Sequence, residues 1–222
     1  EFPYDKSNAK NKISDIICIP VQARKFILTA LIVIIWNFIS NVNANTWNYY
    51  VLNTVGVGYT YMFIGSVVNA IGGIFLLRYW RKAIIKYSTF KILLFTIFVT
   101  GLLELFIAFS TSETKWVYVV VSILQGLNSI GTNLVFANLF YVNLPAGNMD
   151  VFITFWNFAA NISVFAGSML GTWFISLTEK HGQWTLFGLP FYGSQFLVWI
   201  KFAVLMMLCI YIKSIECLIK PD

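Results

Sequence analysis

Two ionisable side chains stand inside otherwise apolar stretches of this sequence, Glu104 within Phe90–Phe109 and Lys201 within Phe191–Ile212. A charge in hydrocarbon is costly, and residues kept there mark ion paths, proton relays or internal ion pairs. Uncharged polar groups follow a helical rhythm in two other stretches. Asn37, Asn41, Asn45 and Asn48 are spaced four, four and three, which puts four amides on one helix face. Gln125, Asn128, Ser129 and Thr132 repeat the pattern beside Gly126 and Gly131. An amide turned to lipid without a partner is strongly disfavoured, so both stripes face either neighbouring helices or a wet cavity. Amides and hydroxyls, with Trp36, Trp47 and Tyr49 nearby, suit a neutral hydroxyl-rich or amide-bearing solute and suit an anion poorly.

A third pattern is mechanical. Ala159, Ser163, Gly167 and Gly171 recur every fourth residue, a small-residue stripe that lets another helix approach closely, and Gly65, Asn69 and Gly73 form a looser version.

The elements that position these groups follow from the charges. The 222 residues are 59% hydrophobic and only 11% charged, where a soluble domain carries about 25% charged residues. Phe26 to Leu77 contains no charged residue at all. Crossing the hydrocarbon takes about 20 apolar residues per helix, and the chain divides into six such segments: Phe26–Tyr50, Tyr59–Leu77, Phe90–Phe109, Trp116–Tyr141, Val151–Leu177 and Phe191–Ile212. The predicted fold is an all-α membrane protein with six transmembrane helices. Residues 1–25 read as a cytoplasmic linker with a short interfacial segment, 26–212 as the transmembrane domain, and 213–222 as a cytoplasmic tail.

Orientation comes from Lys and Arg, which are enriched on cytoplasmic flanks. Arg24 and Lys25 precede the first span, Arg78, Arg81, Lys82, Lys86 and Lys91 separate the second from the third, and Lys213 and Lys220 follow the last; the other side holds Lys115 and Lys180. Both termini are expected in the cytoplasm of a multi-pass plasma-membrane protein. The net charge of +6 is thereby a topology signal and calls for no nucleic-acid partner. Cys18, Cys209 and Cys217 fall on the reducing side, with no disulfide or metal framework, and His181 stands alone in an outer loop. The polar start, Glu1 to Ile13, reads as the edge of an excised piece.

One motif points to a family. From Gly73 to Lys82 the chain reads Gly-Ile-Phe-Leu-Leu-Arg-Tyr-Trp-Arg-Lys, which resembles the G-x-L-A-D-R-x-G-R-[RK] motif between the second and third helices of each half of major facilitator superfamily transporters. Gly73, Arg78, Arg81 and Lys82 match in register; Leu77 replaces the family Asp and Trp80 the second Gly. With six spans and a basic leader, the chain resembles the carboxy-terminal half of such a transporter. In that family the first and fourth helices of a half line the cavity. The resemblance thus implies that Asn37, Asn41, Asn45, Gln125, Asn128 and Thr132 contact substrate, against the alternative that they join helices. It likewise implies that Ala159, Ser163, Gly167 and Gly171 border the opposite half, against ordinary packing within the bundle. Glu104 and Lys201 would sit on neighbouring peripheral helices and pair, the alternative being proton coupling.

The expected function is alternating-access transport of a small solute, without cofactor. Its partners are the lipid bilayer and either an amino-terminal six-helix half or a second copy of this one. A non-transporting membrane sensor or scaffold is the alternative. Paired acids, a His cluster or a Ser beside a base are missing from the sequence pattern, so an enzyme is not expected.

Overall fold

An apolar run inside a bilayer must satisfy its own backbone hydrogen bonds, and the helix does so within one segment. The computed structural model describes residues 13–145, 149–180, 184–186 and 189–219. Its helices are α1 (Ile13–Gln22), α2 (Arg24–Asn41), α3 (Ala44–Tyr50), α4 (Tyr59–Tyr87), α5 (Thr89–Ile107), α6 (Lys115–Val142), α7 (Met149–Lys180) and α8 (Gly193–Ile219). Among the described residues, six stretches are long and apolar enough to cross a membrane: Arg24–Val55, Tyr59–Tyr87, Thr89–Ile107, Lys115–Val142, Met149–Thr178 and Gly193–Glu216. The protein is a six-span, all-α membrane protein. A small antiparallel hairpin of β1 (Trp184–Leu186) and β2 (Leu189–Phe191) joins α7 to α8, so Phe191, the expected start of the last span, belongs to a strand.

The first span is not one continuous helix. A turn at Val42 and Asn43 separates α2 from α3, with Asn43 at φ −110° and ψ 7°. The chain re-enters helix through Trp47 N–H donating to Asn43 O at 2.8 Å, passes through a π-helical turn (Val51–Val55), and ends at Gly56, whose φ of 71° suits the residue without a Cβ. The four-amide stripe is therefore divided, with Asn37 and Asn41 on α2 and Asn45 and Asn48 on α3.

Helix α4 overruns its expected end. Its 29 residues make it about 44 Å long at about 1.5 Å per residue, against a hydrocarbon core of about 30 Å. Gly73, Arg78, Arg81 and Lys82 thus lie on a continuous helix and not on the loop that the motif implies. Ser88 alone connects α4 to α5, at φ 82°. A non-glycine residue rarely adopts that conformation, which is imposed by reversing two helices through one residue.

Helix α2 packs against α7 and α8, α6 against α4 and α5, and α5 against α8, with lighter contacts for α4 on α5, α7 on α8 and α2 on α6. These contacts bury one core of Ile32, Ile39, Leu93, Ile97, Leu139, Leu205 and Ile212 and a second around Tyr50, Val55, Ile107, Tyr118 and Val198. The packing has a hidden regularity. Exchanging α2 with α6, α4 with α7, and α5 with α8 carries each of these contacts onto another in the set. Each exchange pairs spans that cross in opposite directions.

The small-residue stripe of α7 looks inward. A Cβ on Gly167 would meet the carbonyl of Phe38, and one on Gly171 the carbonyl of Val42. Ser163 is buried, donating to Ala159 O at 2.7 Å, and Ala159 joins the cluster around Phe26, Phe140 and Phe152. These four residues bring α7 onto α2 inside the bundle. That corrects their assignment to a surface between halves: the backbone of α2 already occupies the space the stripe opens. Gly171→Ala is expected to lower the melting temperature sharply, because backbone atoms cannot move aside as a side-chain tip can. Gly65→Ala, where a Cβ meets nothing within 4 Å, should be neutral or stabilising by up to about 1 kcal/mol. Thermal unfolding of both variants in detergent checks the contrast.

Candidate functional site

The buried charges come together where three helices meet. Glu104 on α5 and Lys201 on α8 are 3% and 8% exposed, and Lys201 Nζ lies 2.6 Å from Glu104 Oε1. Gln125 on α6 donates from Nε2 to the same carboxylate oxygen at 2.6 Å. The acid sits in the last turn of α5, so the cluster lies toward the end of the bundle where α6 and α8 begin. A carboxylate and an ammonium in a dry site attract strongly and are costly to separate. The arrangement ties α5, α6 and α8 at one point.

This contact corrects the role expected of Gln125, whose amide is committed to Glu104. Its stripe-mates are engaged in the same way. Asn128 is 6% exposed and donates from Nδ2 to Thr96 O and to Thr100 Oγ1, both at 2.9 Å. Thr132, 1% exposed, donates to Asn128 O at 3.2 Å. The polar face of α6 is turned to α5 and joins the two helices, the packing alternative for Gln125, Asn128 and Thr132. Helical spacing could identify the face but not its neighbour.

The amides of the first span fare differently. Asn37 and Asn41 are half-buried, and Asn41 Nδ2 donates to Asn37 O at 2.8 Å. Asn45 and Asn48 are exposed on α3. Asn45 borders an open groove of about 520 Å³ along α7, where Ser168, Thr172 and Ser176 alternate with Phe165, Met169 and Trp173. Thr172 and Ser176 use their hydrogens on backbone carbonyls of their own helix, at 2.9 and 2.7 Å, which leaves hydroxyl oxygens able to accept.

The groove belongs to a longer stripe that the sequence reading passed over. Thr154, Asn157, Asn161, Thr172 and Ser176 are exposed on α7 and Ser168 is half-buried. At about 100° per residue they fall on one side of the helix. The signal was in the spacing: three, four, seven, four and four. It was masked by the more regular small residues on the opposite face.

At the same end of the bundle as the charge cluster, Tyr50 Oη donates to Ser110 O at 3.2 Å and Gln195 Nε2 donates to Ala108 O at 2.9 Å. These bonds fasten the first span and the start of α8 to the turn after α5. Among the described residues, no group of three His, Cys, Asp or Glu side chains could hold a metal ion. His181 lies outside the described residues, as does Lys220.

No family model, no curated protein and no solved structure matches this chain.

Removing one member of the charge pair strands the other. Lys201→Met is expected to destabilise the protein by about 3–5 kcal/mol, while the double variant Glu104→Met/Lys201→Met recovers most of that loss. Denaturation of both single variants and the double variant gives the coupling; additive losses would mean that the pair contributes nothing as a pair.

Proposed function

We propose that this chain is one six-helix half of a secondary transporter resembling the major facilitator superfamily. In this reading it moves a small, neutral, polar solute by alternating access, together with an amino-terminal six-helix half or a second copy of itself. The observation that carries the reading is the exchange of α2, α4 and α5 with α6, α7 and α8, which preserves the helix packing. Because the exchanged spans cross in opposite directions, this is the relation of two inverted three-helix repeats, the internal plan of each half of such transporters. Asn45 with the hydroxyls of Ser168, Thr172 and Ser176 is the polar surface offered to the solute, with Asn37 and Asn41 deeper on the same span.

Both termini are assigned to the cytoplasmic side of the plasma membrane. Arg24, Lys25, Arg78, Arg81, Lys82, Lys86, Lys91 and Lys213 are exposed at one end of the bundle, whereas Lys115 begins α6 at the other. That asymmetry supports the orientation.

A ligand that binds the folded state raises the apparent melting temperature by mass action. In detergent, one class among sugars, nucleosides, amino acids and peptides is expected to stabilise the protein, and Asn45→Ala should remove that stabilisation without lowering the ligand-free melting temperature. A stabilising solute indifferent to Asn45→Ala would dissociate the groove from binding. In intact cells, a cysteine at position 115 should react with an impermeant maleimide and one at position 81 should not; the reverse pattern would invert the topology.

A further inference from the structure

A second groove, of about 380 Å³, opens on the side of the bundle between α4, α5 and α6. Leu76, Tyr79, Trp80 and Ala83 of α4, Phe95 of α5 and Leu127 of α6 line it. Asn128 also borders it, with its amide nitrogen already engaged by Thr96 and Thr100. Apart from the Tyr79 hydroxyl and the Asn128 carbonyl, the walls are apolar to anything entering.

The ends of the same helices supply charge at its mouth. Leu76, Trp80, Ala83 and Tyr87 recur at four, three and four residues, one row along α4. Lys86 is exposed, and its Nζ lies 5.1 Å from the centroid of the Tyr87 ring, which brings the ammonium back onto that row. Lys91, also exposed, stands one helical turn before Phe95 on the same face of α5. No acid occurs on α4 or α6, and the single acid of α5 is Glu104, buried against Lys201 toward the opposite end. An apolar channel leading to two exposed cations matches an amphiphile with an anionic head.

We propose that this groove binds one anionic phospholipid, its acyl chain against Trp80 and Leu127 and its phosphate between Lys86 and Lys91. The site stands on α4, α5 and α6 alone and is independent of any transport activity. A soluble phosphate would use the lysines but not the groove, whereas a membrane lipid uses both. The groove opens sideways, where a bilayer surrounds the bundle, and the lysines stand where the chain leaves the hydrocarbon. Arg81, on the far face of α4 from the row, contributes to the general field only.

The test is titration of the detergent-purified chain with dioleoyl phosphatidylglycerol and dioleoyl phosphatidylcholine, reading bound lipid by native mass spectrometry. One saturable phosphatidylglycerol is expected, bound more tightly than phosphatidylcholine. Lys86→Gln and Lys91→Gln should each weaken it about fivefold, and Arg81→Gln should change it less than twofold. Ala83→Trp, which fills the groove and keeps every charge, should abolish the saturable site. Equal binding of the two lipids, equal losses from Arg81→Gln and Lys86→Gln, or an unaltered site in Ala83→Trp would each overturn the proposal.

Discussion

Inside a bilayer a polar atom has no water to turn to, and this structure is organised by where each such atom finds its partner. Glu104 is the extreme case, since it needs a counter-charge as well as donors, and Lys201 and Gln125 supply both. Asn128, Thr96 and Thr100 solve a milder version of the same problem one and two turns away. Together they fix the register of α5 against α6 and α8. Apolar packing alone leaves register weakly determined in lipid, because lipid tails are as apolar as Leu.

The other organising contact rests on small residues instead of polar pairing between helices. Gly167 and Gly171 bring the backbone of α7 against that of the first span, at Phe38 of α2 and at Val42 in the turn after it, and dispersion between closely approaching backbones replaces hydrogen bonding there. The counterpart pair, α4 and α6, is joined with more relief: Trp80 covers Gly131 and Asn69 covers Gly126. Two equivalent crossings in the packing plan are thus built by different means, backbone on backbone in one and side chain into glycine notch in the other. The break at Val42 and Asn43 falls at the tighter crossing, where the first span bends beside Gly171.

The division of the chain into six spans was legible because charge and apolarity are local properties that a span cannot hide. The direction of each polar face was less so. Gln125 and Asn128 announce a polar side of α6 by spacing alone, yet whether that side meets a cavity or α5 depends on a helix about thirty residues earlier. The turn at Val42 and Asn43 carries no Pro or Gly within it, and nothing in its residues distinguishes it from the helix on either side. The overrun of α4 was obscured for the opposite reason, since basic residues after an apolar run signal a membrane boundary but do not end a helix. On α7 the sequence offered two periodic stripes, and the more regular one proved to be internal while the polar one remained exposed.

The charge cluster also bears on how the chain is made. Lys201 emerges from the ribosome about a hundred residues after Glu104, which at about 5–20 residues per second is a wait on the order of 5–20 s. During that interval the acid on the third span has no ammonium to meet. Gln125 arrives first, 21 residues on, and can hold the carboxyl through a hydrogen bond whether or not it is ionised. The amide is thus in the chain well before the ammonium, and the three-helix cluster is complete only once α8 has been made.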